Sequence, residues 1–177
     1  MIKQINEVGE FMTMMEHEQY DVPTIPTEAC QKLRVNLIEE ELYELQKAMA
    51  DGDLVGVADG LADLLYVVNG TVKACGMGNI MEALSDEVQR SNMSKGCATE
   101  EEAEATILKY VSELPEGTPP EEADIFDYKQ VADKFIVFRT TDGKGLKSIN
   151  YSPANLLPIV ESAVLDPKDG SDGAFRF

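Results

Sequence analysis

The chain has 177 residues, 44% of them apolar, with 33 acidic side chains against 15 basic ones and a net charge of −18. It is long enough for one domain with a real core and a small appendage. The charge balance excludes a general nucleic-acid binder, which needs a basic surface to meet phosphates, and speaks against docking on an anionic membrane.

The cysteines, Cys30, Cys75 and Cys97, form no Cys-x-x-Cys pair and are odd in number, and the one histidine is His17. A disulfide framework and a His/Cys zinc site are therefore not expected, and a reducing cytoplasm is the compartment that fits. The N-terminal Met1-Ile2-Lys3-Gln4 lacks the apolar stretch of a signal peptide. No uninterrupted apolar run reaches the ~18 residues of a membrane helix. The most apolar stretch, Leu54 to Val72, carries Asp59 and Asp63 inside it.

In chain order, Ile5, Val8, Phe11, Met12 and Met15 have helical spacing and predict a first helix over 2–19. Tyr20 to Pro26 holds two prolines and reads as a loop. Thr27 is placed to cap a second helix that runs to about Ala50 and stops at Asp51-Gly52-Asp53. A third helix is expected over 54–74, ending at Gly76-Met77-Gly78, and a fourth over 79–90. Beyond Cys97 an acidic, solvated helix spans Thr99 to Glu113, followed by a Pro/Gly loop to Pro120. Residues 128–134 suggest a short helix. The β-branched and aromatic run Phe135 to Thr140, with the turn at 141–145, suggests a small hairpin. A last helix is expected within 153–165, and Asp166 to Phe177 reads as a loose tail. The expected fold is all-α: a four-helix-bundle-like core over 1–96 and an extension over 97–177 that packs on the core or on a partner subunit.

The second helix carries an unusual pattern. Its apolar stripe is Cys30, Leu33, Leu37, Ile38, Leu42, Leu45 and Met49, and at ~100° per residue Glu41 falls near the stripe's centre. Glu44 sits at the edge, Glu40 one step further out, and Glu39 on the opposite side. In the third helix Leu54, Leu61, Leu64, Leu65, Val68 and Val72 form a broad apolar face, while Asp59, Asp63, Tyr66, Gly70 and Lys73 share the other side. Asp59 and Asp63 are one turn apart on one face, in a helix apolar enough to be largely buried. Buried carboxylates without partners are costly, and converging ones repel. Arg34, Lys47 and Lys73 are too few to neutralise them. A hard divalent cation with oxygen ligands resolves the conflict, and magnesium is the expected ion.

These residues resemble the all-α nucleoside triphosphate pyrophosphohydrolase superfamily, in its MazG-like and phosphoribosyl-ATP pyrophosphohydrolase-like branch. The family pattern is Glu-Glu-x-x-Glu on one helix and Glu-x-x-Asp on the next. Here the first half reads Glu40-Glu41-Leu42-Tyr43-Glu44 and the second Asp59-Gly60-Leu61-Ala62-Asp63. The position three before Asp63 is Gly60 rather than an acid, which makes Asp59 the least secure ligand. Ala62 to Gly70 and Val88 to Lys95 carry the likeness further, and Asp142 to Pro153 echo it weakly.

The resemblance implies hydrolysis between the α and β phosphates of a nucleotide, giving a monophosphate and pyrophosphate, with phosphoribosyl-ATP among the candidate substrates. Glu41, Glu44 and Asp63, with Asp59, would hold magnesium (manganese as a substitute), and Glu40 would orient or deprotonate the attacking water. Lys73, Arg90, Asn92 and Lys95 are the candidate phosphate ligands. Arg90 and Lys95 read equally well as surface charges at a helix end. Phe11 and His17 read as core and surface residues, with a place beside a nucleobase as the alternative. Lys144 and Lys147 read as hairpin lysines, with a phosphate contact as the alternative. A homodimer or higher homo-oligomer is expected, because so short a bundle has apolar faces to spare. A di-iron bundle is disfavoured because His17 is not in a Glu-x-x-His pair. A non-catalytic nucleotide- or metal-binding module stays open.

Overall fold

The computed structural model describes residues 2–119 and 125–165. Pro120 and the expected tail over 166–177 lie outside the described residues. These residues form six helices, α1 (Ile2–Met14), α2 (Glu28–Asp51), α3 (Leu54–Ala74), α4 (Met81–Met93), α5 (Glu100–Ser112) and α6 (Leu157–Leu165), and two strands, β1 (Phe126–Val131) and β2 (Lys134–Arg139). The all-α expectation holds, with a short hairpin beside the helices. The chain divides into two compact units, Met1–Leu84 with the segment from Leu156, and Ser85–Asn155.

In the first unit α3 packs on both α1 and α2. The helix ends follow local chemistry. Thr27 caps α2 through its hydroxyl, which accepts from the Cys30 N–H at 3.4 Å, and the Glu18 carboxylate accepts from both the N–H and the hydroxyl of Thr27. Gly52 closes α2 in the left-handed region at φ 69°, a conformation that costs glycine little. One residue later the Asp53 carboxylate accepts from the N–H groups of Val55 and Gly56, both at 3.1 Å, and so caps α3. The turn between the two helices is thus only two residues long. The first helix stops at Met14, short of the expected residue 19, and Glu16 takes a positive φ of 54° beyond it. Val8, Met12, Cys30 and Ala74 form the core cluster.

The orientation of α3 differs from expectation. Its inward face is Gly60, Gly70 and Ala74, while Leu54, Leu61, Leu65 and Val68 are 80, 51, 57 and 37% exposed. The physical reason is close approach. A Cβ built on Gly60 would lie 3.1 Å from the Leu45 Cα, 3.2 Å from its Cβ and 3.3 Å from its N. The small-residue face lets α2 come nearer than the leucine face would, so the leucines are left outside. The same holds on α2, where Leu45 and Cys30 are buried but Leu33, Leu42 and Met49 are exposed. By length and hydropathy α3 passes the test for a membrane-crossing helix; the expectation that no segment does so counted only uninterrupted apolar residues.

In the second unit, Thr99 caps α5 by accepting from the Glu102 N–H at 3.2 Å, and Glu102 reaches back to accept from the Ala98 N–H at 2.9 Å. This is close to a capping box. Residues 128–134 do not form the expected short helix. They lie in β1, its turn and the first residue of β2, because an isolated seven-residue helix is below nucleation length and the Phe135–Phe138 run offers a strand to pair with. The hairpin register runs from Phe126 opposite Arg139 to Val131 opposite Lys134. Its turn is therefore at Ala132-Asp133, with Ala132 at φ 54°, rather than at 141–145. The latter segment instead folds back, so that Gly145 bridges Phe138. Phe135 and Val137 face a core of Cys97, Ala103, Ile107 and Leu146. Lys134 and Ile136 alternate onto the other face.

Candidate active site on helices α2 and α3

Two contacts fix the antiparallel register of α2 and α3: Leu45 against Gly60, and the Arg34 guanidinium against Gly70, 2.9 Å from where a Cβ would stand. Glu41 and Asp63 lie between these levels, one turn from Leu45 and from Gly60 respectively. Glu41 shares the inward face of α2 with buried Cys30, Arg34 and Leu45, as its place in the stripe predicts.

Electrostatics single out the same residue. Burial raises the Glu41 carboxyl above its ordinary value of 4.5, and the neighbouring charges of Asp63, Glu44, Glu40 and Asp59 push it further in that order. The other four predicted carboxylates therefore all act on Glu41. The burial argument needs correction for the other four: Glu40, Glu44, Asp59 and Asp63 are exposed, and only Glu41 is half-buried. Leu61 and Leu65 of α3 are exposed at the same level.

The donor set is all carboxylate oxygen, the chemistry of a hard divalent cation, and a cation beside Glu41 relieves the repulsion that raises its pKa. As their side chains stand, no three Asp, Glu, His or Cys residues among those described are gathered closely enough to cage an ion. The donors fit magnesium in kind, and their convergence requires side-chain rotation.

The shift has a measurable consequence. A carboxyl raised in the folded state favours folding below its unfolded pKa, and that benefit is lost as pH rises through the folded value. In EDTA, the melting temperature of Glu41→Gln is expected to match wild type below pH 4.5 and to exceed it above that, levelling off once the folded carboxyl is ionised. Thermal unfolding across that range checks it. A constant offset at all pH values would refute the assigned repulsion.

Beside the carboxylates, Phe11 of α1 and Tyr66 of α3 meet edge to face at 5.9 Å between centroids. Both rings keep about two-fifths of their surface exposed, 40 and 41%. Phe11 is thus not a core residue. Tyr66 lies one turn from Asp63, so the pair offers an aromatic edge next to the charged groups. His17 is half-buried and turned to Arg34, whose Nη2 donates to Nδ1 at 3.4 Å.

Arg34 was not singled out from the sequence beyond its charge. It is only 6% exposed, and its Nε finds no hydrogen-bond partner among the described residues. It lies two turns along α2 from Glu41, ~10 Å at 1.5 Å per residue. Its position in the buried stripe, seven residues before Glu41, was the available signal. Gly70 gives its space to this guanidinium.

Of the expected phosphate ligands, Lys73 is the one that shares a unit with these carboxylates, and its side chain is turned elsewhere. Lys73 is ten residues from Asp63, ~15 Å along the axis. Its side chain, 17% exposed, packs on Gly9 and pairs with Asp21 at 3.4 Å. Arg90, Asn92 and Lys95 belong to the second unit. Arg90 grips Glu87 through two nitrogens at 2.7 and 2.8 Å and donates to the Pro153 carbonyl at 3.1 Å. The Arg90 hydrogen bond, with the Asn155 N–H, pulls the Glu87 carboxyl down to about 2. Lys95 donates to the Asn92 side-chain oxygen at 2.7 Å.

Comparison with known proteins agrees with the residues. Residues 8–92, just under half of the chain, match the family model described as phosphoribosyl-ATP pyrophosphohydrolase. None of the curated proteins matches the chain. The matched stretch contains all of α2 and α3 and every carboxylate described above. The chain therefore carries a phosphoribosyl-ATP pyrophosphohydrolase family domain over residues 8–92, which belongs to the MazG-like all-α nucleoside triphosphate pyrophosphohydrolase superfamily and makes it a hydrolase acting on acid anhydrides.

Proposed function

We propose that this domain hydrolyses a nucleoside triphosphate or a related nucleotide between the α and β phosphates, with magnesium as cofactor and manganese as a working substitute. The observation that carries the reading is Glu41, half-buried on the inward face of α2 with four further carboxylates in its field. Glu41, Glu44 and Asp63 are the proposed metal ligands, with Asp59 beside them. Glu40, exposed on α2, is the group proposed to orient and deprotonate water. When bound, the ion neutralises phosphate oxygens and lowers the pKa of a coordinated water. Phe11 and Tyr66 flank the carboxylates and are the proposed contacts to a base. Phosphoribosyl-ATP is the most specific substrate candidate, on the family match alone. Of the four candidate phosphate ligands, Asn92 and Lys95 are retained, whereas Arg90 and Lys73 are committed to Glu87 and Asp21.

The test is incubation of the purified chain with a panel of ribo- and deoxynucleoside triphosphates and phosphoribosyl-ATP, with magnesium or with EDTA. Turnover of at least one substrate, dependent on the metal, is expected. Retention of nucleotide without turnover would mark a binding module instead.

We further propose a homodimer. Leu33, Leu42 and Met49 of α2 and Leu54, Leu61 and Leu65 of α3 are 41–80% exposed, and a second copy is the partner expected to cover such apolar surface. Sedimentation at micromolar concentration is expected to give twice the chain mass, and Leu61→Glu with Leu65→Glu to give monomer. Monomer for the wild type would overturn this. The proposed compartment is the cytoplasm, on the three free cysteines.

A further inference from the structure

The second unit holds a pocket of about 350 Å³ whose lining includes Lys95, Gly96, Lys134, Ile136, Leu146 and Lys147. Three of these residues are lysines and none is acidic, in a chain with 33 acids against 15 bases. Such a composition runs against the protein's overall charge.

The pocket is built by the fold of this unit. Cys97 pairs its N–H and carbonyl with Phe135 at 2.8 and 2.9 Å, and the Leu146 N–H donates to the Val137 carbonyl at 2.8 Å. The segments around residues 96 and 146 are thereby tied to β2. Strand alternation turns Lys134 and Ile136 to the face opposite the Phe135–Val137 core. Gly96 brings the turn against the strand, since a Cβ there would lie 3.2 Å from Ile136 and 3.4 Å from Lys134. The Tyr110 hydroxyl holds the backbone of Lys147 at both its N–H and its carbonyl, 3.2 Å each.

None of Lys95, Lys134 and Lys147 is in an ion pair with any described carboxylate. Lys147 places its ammonium over the Tyr151 ring at 4.2 Å, and the Lys95 ammonium donates to the neutral Asn92 side chain. The field they make is visible on Tyr151: a Ser91 hydrogen bond pulls its phenol down first, and the charges of Lys147 and Lys95 pull it down further.

We propose that this pocket binds an oligophosphate anion, with Lys95, Lys134 and Lys147 as its charge partners. Multiple ammonium groups around one concavity suit a ligand that carries several negative charges on adjacent tetrahedral centres. The proposal shares Asn92 and Lys95 with the functional reading above but does not rest on the carboxylates of α2 and α3. The anion has two chemical sources, free pyrophosphate or the phosphate tail of a nucleotide.

The test is calorimetric titration of the full chain in EDTA, where the metal-dependent site is silent. The probes are inorganic pyrophosphate, inorganic phosphate and a nucleoside triphosphate with a non-hydrolysable α–β bridge. Saturable binding is expected, weakened by salt. It should fall roughly tenfold or more in Lys134→Gln with Lys147→Gln, persist in Lys134→Arg with Lys147→Arg, and be unchanged in Glu41→Gln. Pyrophosphate binding alone would identify the free anion as the ligand, and binding of the analogue would identify a nucleotide tail. No binding of any probe, binding undiminished by the glutamine pair, or binding lost in Glu41→Gln would overturn the proposal. Failure here with intact turnover would leave the functional reading standing, and the converse would leave the pocket standing.

Discussion

Replacing Glu41 by glutamine is expected to lower turnover by about a thousandfold while leaving the protein folded. The substitution keeps the side chain's size and removes one charge from the centre of a repelling group. Burial and the charges of Asp63, Glu44, Glu40 and Asp59 all oppose ionisation of this carboxyl, so the metal-free variant loses a source of strain. Activity and stability should therefore move in opposite directions: less turnover, and a higher melting temperature in EDTA at neutral pH. Added magnesium should raise the melting temperature of the wild type and do so less for the variant. Glu39→Gln serves as the control, since Glu39 is exposed and lies away from the inward face of α2. A variant that kept wild-type turnover would remove Glu41 from the site.

Gly60→Glu would install an acid three residues before Asp63, as the family pattern has it. It is nevertheless expected to destabilise the fold by ~3 kcal/mol or more, roughly 10 °C in melting temperature for a chain of this size. Its Cβ would meet the backbone of Leu45 at 3.1 Å, and a charge would be driven between two packed helices. Gly60→Ala should show the steric part alone, a smaller loss. In this chain the acid is displaced to Asp59, which stands exposed beside the close contact, so α2 and α3 can approach at Gly60 while an acid remains near Glu41. Thermal unfolding of both variants decides it. An unchanged melting temperature with tighter magnesium binding in Gly60→Glu would mean that this position faces the ion after all.

The helical part of the fold was legible because its punctuation is local. Thr27, Gly52, Asp53 and Thr99 act through caps and turns within a few residues of themselves, and α3 runs over the expected 54–74. Glu41 was legible for the same reason, since a 3.6-residue period places it among Cys30, Arg34 and Leu45. The facing of α3 was not. Hydrophobicity alone says that a leucine face is buried, but which face meets α2 depends on how closely two backbones can come, and Gly60, Gly70 and Ala74 decide that. The hairpin turn was misplaced because Asp142-Gly143 is a stronger turn signal than Ala132-Asp133. Pairing of β1 with the Phe135–Phe138 run is a non-local contact that a turn signal does not carry. Arg34 was not legible because a lone arginine on a helix is ordinarily a surface residue, and only packing shows its Nε without a partner among the described residues.

The most direct test of the carboxylate centre is product identification by phosphorus NMR for wild type and Glu41→Gln, side by side, with a nucleoside triphosphate or phosphoribosyl-ATP and magnesium. Monophosphate product and pyrophosphate in equal amounts from the wild type, with neither from the variant, is the predicted result. Release of inorganic phosphate with a diphosphate product, or equal turnover by both proteins, would contradict it.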